Sequence, residues 1–223
     1  MSDYVHMRLS AALVPPPLVL EDLSAVVRSV RGAETQLEPV PTELLHIPLG
    51  RFGNVGLSDR VALWELLTEE VSCWAPLQLR FRGGAALVDA GDDSVWAELD
   101  GDLEQLVAMG TVIPRVVQRL GFLIDRRTFR TRVRVGRITT ETGVDFLERL
   151  LARLDGYAGP AWTTHHVSLL RHRIGNESGP EVDVLHELRL VGDSPSDGET
   201  GSRGGRHRST ADPEDAEDHA GRA

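Results

Sequence analysis

Residues 126–137 read Arg126-Arg127-Thr128-Phe129-Arg130-Thr131-Arg132-Val133-Arg134-Val135-Gly136-Arg137. In the second half of this segment arginines alternate with apolar or small residues, which is the period of a β-strand. The alternation predicts a strand over residues 128–138 that presents Arg130, Arg132 and Arg134 on one face. Three guanidinium groups about 7 Å apart along one face repel each other unless anions or carboxylates neutralise them.

Two interpretations of this arginine row are open from the sequence. The planar guanidinium group of arginine donates two parallel hydrogen bonds to phosphate oxygens, so the row suits a phosphate-binding site. Alternatively, the row is an exposed sheet face that pairs with acids, since the chain holds 34 Asp and Glu against 24 basic residues. Spacing alone favours neither interpretation.

The composition limits the classes of function. All 24 basic residues are arginine, which excludes a lysine nucleophile, a Schiff base and a Walker-type lysine. The net charge of −10 argues against broad binding to nucleic acid or to an anionic membrane, and no apolar stretch of about 18 residues is present. The single cysteine, Cys73, excludes a disulfide framework. We therefore expect a cytoplasmic protein without a cofactor, and a monomer.

The chain divides into a domain over residues 1–192 and a tail over residues 193–223. The tail holds eight acids and four arginines but no Leu, Ile, Val, Phe, Tyr or Trp. Such a segment buries too little apolar surface to offset its ordering entropy, so we predict a disordered acidic tail.

Strands and helices alternate along the domain. Periodicity predicts strands at 7–14, 44–49, 77–82, 95–99, 128–138, 162–170 and 183–190, and helices at 17–30, 58–73, 103–120 and 144–154. Gly83-Gly84 is expected to turn the chain after the third strand. Prolines 15–17 stand where a dinucleotide-binding loop would need glycine, which excludes a Rossmann domain.

His46 is the first candidate for chemistry. In the segment Leu44-Leu45-His46-Ile47-Pro48-Leu49 the side chain of His46 shares a face with Leu44 and Pro48, opposite the apolar face. His46 therefore points either into a cleft or to solvent. The pair His165-His166 is predicted to point to opposite faces of one strand, so it does not bind one metal ion, and we predict no metal site.

The order of these pieces resembles the 2H phosphoesterases, the LigT-like superfamily of 2′-5′ RNA ligases and RNA 2′,3′-cyclic phosphodiesterases. That family carries two His-x-Thr/Ser motifs, one on each of two similar lobes that face a shared cleft. Leu45-His46-Ile47-Pro48-Leu49 with Phe52-Gly53 matches the frame of the first motif, and Phe129 to Arg137 falls in the frame of the second. The resemblance runs over residues 7–192. It implies an α+β fold of two pseudo-symmetric antiparallel sheets with helices around a central cleft.

The resemblance also implies roles for the motif positions. One family histidine acts as general base and the other as general acid, and the hydroxyls hold the phosphate. Here only His46 is kept, while Pro48, Arg132 and Arg134 replace a hydroxyl, a histidine and a second hydroxyl.

Three functions follow from this pattern. In the first, the chain is a cyclic phosphodiesterase that works through His46. In the second, it is a non-catalytic module that binds an RNA end or nucleotide phosphate through Arg132, Arg134 and Arg130. In the third, it is a structural or regulatory protein that keeps only the fold.

Overall fold

The computed structural model describes residues 7–87, 93–122, 124, 129–174 and 180–192. The residues of the tail, and Arg126, Arg127 and Thr128 of the arginine segment, lie outside these ranges. Within them the strands form two antiparallel sheets, one in each lobe.

The first lobe is built on a four-stranded sheet of order β3-β1-β8-β9. Its strands are β1 (Met7–Leu13), β3 (Ile47–Val55), β8 (His166–Ile174) and β9 (Pro180–Arg189). The second lobe has a five-stranded sheet of order β2-β6-β5-β4-β7. Its strands are β2 (Leu37–Pro39), β4 (Leu77–Leu87), β5 (Ser94–Gly101), β6 (Arg132–Ile138) and β7 (Trp162–Thr164). The predicted α+β fold of two lobes is therefore confirmed.

The helices cover these sheets and join them into one hydrophobic core. They are α1 (Pro17–Arg28), α2 (Ala33–Gln36), α3 (Leu57–Ser72), α4 (Leu103–Gln118) and α5 (Val144–Asp155). The four longer helices were all predicted, to within two residues at each end, because their apolar residues recur at helical spacing. Helix α3 buries a narrower stripe than expected: Leu63, Leu67 and Val71 are buried, but Val61 and Trp64 are exposed.

The turn predicted at Gly83-Gly84 is wrong. Strand β4 continues through both glycines, and its register with β5 shifts between Phe81 and Gly84. Gly83 has φ +84°, a backbone conformation that glycine adopts without steric cost. The glycines therefore make a β-bulge inside one long strand instead of ending it.

The single strand predicted over residues 162–170 is also wrong. The chain forms β7 in the second sheet, leaves it at His165, and enters the first sheet as β8. The carbonyl oxygen of His165 accepts a hydrogen bond from the amide of Leu190, 2.8 Å away. His165 and His166 are both exposed, and the prediction that they share one strand fails because the chain changes sheets between them.

Two strands that carry candidate residues differ from their predicted bounds. Strand β6 begins at Arg132, so Phe129, Arg130 and Thr131 precede it and are not part of its ladder. Strand β3 begins after His46 and runs through the glycine-rich segment to Val55, where pairing with β1 holds it extended. No helix in the described part of the chain is long and apolar enough to cross a membrane.

Candidate functional site

A cavity of about 700 Å³ opens between the two sheets. Both lobes line it, together with the segment that joins β2 to β3. Its charged and aromatic lining residues are Glu38, His46, Arg51, Trp96, Arg130, Arg132, Arg134, Arg137 and His172. We call this cavity the cleft. It brings together His46 and all three arginines that the sequence singled out.

The lobe-two wall of the cleft is set by strand β6. Val133 and Val135 are buried in the core, so the alternation of the strand turns Arg132 and Arg134 to the opposite face. Trp96 on β5 pairs with Arg134 in the ladder, and its indole ring lies under both guanidinium groups. The Arg132 and Arg134 guanidinium carbons are 5.1 and 5.5 Å from the ring centroid. At these distances the ring face attracts both cations and orders them.

Two nitrogens on this wall lack a hydrogen-bond partner. Among the described residues, Trp96 Nε1 and Arg132 Nε are buried and donate to no acceptor. Buried donors are normally satisfied, so an unpaired donor in a cleft is where a ligand's oxygen is expected.

The interpretation of the arginine row as an ion-paired surface does not fit Arg132 and Arg134. Elsewhere in this acidic chain arginines do pair: Arg80 and Arg82 with Asp100, and Arg171 and Arg173 with Asp183. Neither Arg132 nor Arg134 forms a salt bridge within the described ranges, although Glu98 stands directly opposite Arg132 in the ladder.

The other two arginines of this segment that line the cleft, Arg130 and Arg137, are engaged with the protein. Arg137 Nη1 lies 4.0 Å from the Glu38 carboxylate, which is the acid of the cleft. Arg130 lines the cleft ahead of β6, and its Nη1 donates to the carbonyl oxygen of Phe129 at 2.8 Å. Arg132 and Arg134 are therefore a stacked pair, flanked in the segment by two arginines with protein contacts.

The lobe-one wall holds His46. Its neighbours Leu45 and Ile47 are buried, so the prediction that His46 faces away from the core is confirmed. Burial, then the nearby His172, lower the pKa of His46 to about 4, although a backbone hydrogen bond with Leu44 opposes the shift. His46 is therefore neutral at pH 7. Pro48 lines the cleft beside it but offers neither a hydroxyl nor an N–H donor.

His172 on β8 is a second histidine in the cleft, and the sequence did not single it out. Its ring centroid lies 6.0 Å from that of His46, and its Nε2 lies 2.7 Å from Ser10 Oγ. Burial, then the cations Arg51 and Arg8, lower its pKa. No local pattern identifies it, because it meets His46 only when β8 pairs with β1 and β1 with β3.

A smaller cavity of about 190 Å³ shares residues 39–41 with the cleft. Its lining is mainly apolar, and its two charged residues, Arg28 and Glu34, are of opposite sign. The cleft instead has five arginines against one glutamate, so it is the cavity suited to an anion. The described residues contain no group of three His, Cys, Asp or Glu side chains able to hold a metal ion.

Comparison with known proteins identifies the fold. No protein-family model and no curated protein sequence matches the chain. Among solved structures it is similar to Escherichia coli LigT complexed with 3′-AMP, with a TM-score of 0.67 and 15% identity over 83% of this chain and 99% of that one. It is also similar to TT0787 of Thermus thermophilus, with a TM-score of 0.61 and 20% identity over 84% of this chain and 100% of that one. A structure described as a phosphoesterase matches with a TM-score of 0.65 and 15% identity, over 83% and 99% of the two chains. The chain therefore has the LigT-like fold, which is the fold that the resemblance of its sequence implied.

Proposed function

We propose that the cleft binds a phosphate group carried by an RNA end or a nucleotide, and that turnover by the two-histidine mechanism is weak or lost. One observation carries the proposal: Arg132 and Arg134 line the same cavity as His46 and form no ion pair within the described residues. Two ordered guanidinium groups without carboxylate partners are the donors that a phosphate binds most strongly.

The structural neighbours support this class of ligand. LigT of E. coli was crystallised with 3′-AMP, with ATP and with phosphate, and its fold matches this chain with TM-scores of 0.60–0.67 in those three structures. The identities of 13–15% carry only the fold, so the ligand proposal depends on the arginines of this chain.

The proposed loss of turnover follows from the permanent charge of the arginine at position 132. A guanidinium group stays protonated far above pH 7, so Arg132 neither accepts nor donates a proton in the way a histidine does. Removing one acid–base partner typically lowers a rate by about 10²–10⁴-fold. At the other wall, Pro48 has no hydroxyl to hold a phosphate oxygen.

The binding proposal is tested by titration with adenosine 2′,3′-cyclic phosphate, followed by calorimetry. The wild type is expected to bind, and Arg132→Ala/Arg134→Ala to bind at least about tenfold more weakly, because charge-assisted hydrogen bonds are lost. Arg82→Ala is the matched control, since Arg82 lies on the same sheet but outside the cleft and pairs with Asp100. No binding by the wild type, or unchanged binding in the double variant, would refute the proposal.

A cyclic phosphodiesterase is the second candidate function, and His172 is the observation that favours it. The cleft holds two neutral histidines whose ring centroids are 6.0 Å apart, although both belong to lobe one. Hydrolysis of a 2′,3′-cyclic phosphate by the wild type, abolished in His46→Ala, would establish this function. Binding without hydrolysis would establish the non-catalytic module.

We also infer that the protein works in the cytoplasm, which suits an RNA-type ligand and the single cysteine, Cys73. The proposed boundary between the domain and the acidic tail at residue 193 is testable by limited proteolysis. A protected fragment that ends near Gly192 is expected.

A further inference from the structure

The lobe-one wall of the cleft carries positive charge of its own. Arg51 on β3 lines the cleft with His46 and His172 and forms no salt bridge within the described ranges. Arg8 on β1 pairs with His172 in the ladder and likewise has no carboxylate partner there. This charge belongs to a different sheet from that of Arg132 and Arg134.

Acids near this wall are already engaged. On β9, Asp183 accepts hydrogen bonds from Arg171 Nε at 2.9 Å and from Arg173 Nη2 at 2.7 Å. Glu181 also lies 3.7 Å from Arg173. The residue of β9 that faces His172 in the ladder is Val182, an apolar residue that lines the cleft. Among the described residues, the lobe-one wall therefore has cations and histidines without a compensating carboxylate.

The positive charge of the lobe-one wall acts directly on the two histidines. Besides burial, the charged groups that lower the pKa of His172 are Arg51 and Arg8. Those that lower the pKa of His46 are His172 and Arg51. An anion at this wall would offset this field and favour protonation of both rings, whose second N–H would then donate to the anion while the first stays with Leu44 or Ser10.

The positive charge of the cleft is divided between the two walls. Arg132 and Arg134 are held against Trp96 on lobe two, whereas Arg51 and the histidines belong to lobe one. The cleft, at about 700 Å³, has the size of a pocket for a whole nucleotide. Arg51, Arg132 and Arg134 have no carboxylate partner in the described part of the chain, and their three positive charges exceed the charge of a single phosphate dianion.

Building on the proposed function, we propose that the cleft has two anion subsites and takes a nucleotide with two separate phosphate groups. One subsite consists of Arg132 and Arg134 on Trp96. The other consists of Arg51, His46 and His172. The ligand class is a nucleoside bisphosphate, or an RNA end whose terminal phosphate and neighbouring phosphodiester bind on opposite walls.

The test compares three probes by calorimetry at constant ionic strength: adenosine 3′,5′-bisphosphate, adenosine 3′-monophosphate and adenosine 5′-monophosphate. The bisphosphate is expected to bind at least about tenfold more tightly than either monophosphate, because each charged subsite adds charge-assisted hydrogen bonds. Arg51→Gln and the pair Arg132→Gln/Arg134→Gln should each reduce this advantage to less than about threefold. Arg82→Gln is the matched control, since Arg82 is an exposed arginine outside the cleft.

A pH series adds a signature of the lobe-one subsite. Because a bound phosphate favours the charged form of His46 and His172, the ratio of the bisphosphate advantage in the wild type to that in His46→Gln/His172→Gln should grow from pH 7.5 to 5.5. The ratio cancels the protonation of the ligand's own phosphates, which takes place near pH 6 in both proteins. Equal affinity for mono- and bisphosphate, or an unchanged advantage in Arg51→Gln, would overturn the two-subsite proposal while leaving single-phosphate binding intact. If no probe binds at all, the proposed function itself is wrong.

Discussion

The guanidinium carbon of Arg132 lies 5.1 Å from the centroid of the Trp96 indole ring. Arg134 uses the same ring at 5.5 Å, so one buried indole orders two neighbouring cations that otherwise repel each other. Each cation–π contact contributes about 0.5–2 kcal/mol, depending on how far it is desolvated. The arrangement of these two arginines therefore depends on an aromatic residue outside the arginine segment.

Trp96→Leu is expected to weaken nucleotide binding by about tenfold, because it removes the face that orders both arginines. Trp96→Phe keeps an aromatic face. Its affinity should lie between those of Trp96→Leu and the wild type, because the arginines stay ordered while the Trp96 Nε1 donor, which has no partner among the described residues and is placed for a ligand's oxygen, is lost. Calorimetric titration with adenosine 3′-monophosphate measures both variants.

Trp64→Leu is the control for Trp96, because Trp64 is a surface tryptophan that stacks on His186 away from the cleft. Its affinity should equal that of the wild type. If Trp96→Leu binds as well as Trp64→Leu does, the stacking has no part in positioning the arginines.

Acidification should destabilise the protein through His46. The pKa of about 4 in the folded state lies below the ordinary histidine value of 6.5, so the unfolded chain binds more protons between these values. Stability therefore falls as the pH drops from 6.5 towards 4, by about 2–3 kcal/mol for this group. Urea unfolding at pH 7.5, 5.5 and 4.5 measures the change.

The carboxyl groups of Asp100 and Asp183 affect the stability of the fold in a different range of pH from His46. Hydrogen bonds from Arg80 and from Arg173 lower the pKa values of these two carboxyls below 3.8, so their contribution is lost only at more acidic pH. His46→Gln should therefore flatten the slope between pH 6.5 and 4, leaving the part due to His172. An unchanged slope in His46→Gln/His172→Gln would show that neither ring is responsible.

Much of the fold follows from local pattern. Helices α1 and α5 and strands β1 and β5 lie where apolar spacing placed them, because each presents one continuous face to the core. The break at His165 was missed because the residues on either side suit a strand equally well. Only the tertiary structure shows that the chain changes from the second sheet to the first at that residue.

The residues of the site also fall into those that local sequence predicted and those that it did not. His46 and the arginine row stood out because their chemistry is concentrated in short segments. Trp96, Arg51 and His172 reach the cleft through strand pairing between segments that are far apart in the chain. A single sequence contains no periodicity for such partners, so residue spacing identified His46 and the arginines but missed the residues that lie beside them in the cleft.

Gly110→Ala should destabilise the protein even though alanine is the better helix former. A Cβ on Gly110 in α4 would collide with the ring of Phe129, which is packed directly against this glycine. Overpacking costs about 1–3 kcal/mol, which outweighs the gain of about 1 kcal/mol in helix propensity. Chemical denaturation should show a net loss of about 1 kcal/mol.

The same change should weaken nucleotide binding, because Phe129 precedes β6 and its carbonyl oxygen holds Arg130. Adding Phe129→Leu to Gly110→Ala should recover part of the stability by relieving the collision. Val107→Ala is the control on an exposed position of α4 and should leave binding unchanged. A Gly110→Ala variant more stable than the wild type would mean that Phe129 moves aside without cost.

The variant Pro48→Thr/Arg132→His/Arg134→Thr tests whether the scaffold still supports the chemistry that its motif frames imply. It places a second proton-transfer group opposite His46 and returns two hydroxyls, so hydrolysis of a 2′,3′-cyclic phosphate should rise by about 10²–10⁴-fold. The gain should vanish when His46→Ala is added, and it should not appear when position 132 carries glutamine, which cannot transfer the proton. The same substitutions remove the stacked arginines from Trp96, so affinity for adenosine 3′,5′-bisphosphate should fall as hydrolysis rises. Opposite changes in the two readouts would show that position 132 sets the balance between anion binding and acid–base catalysis. If hydrolysis does not rise while the fold is retained, the cleft has diverged beyond its motif positions, and the role of the chain is binding.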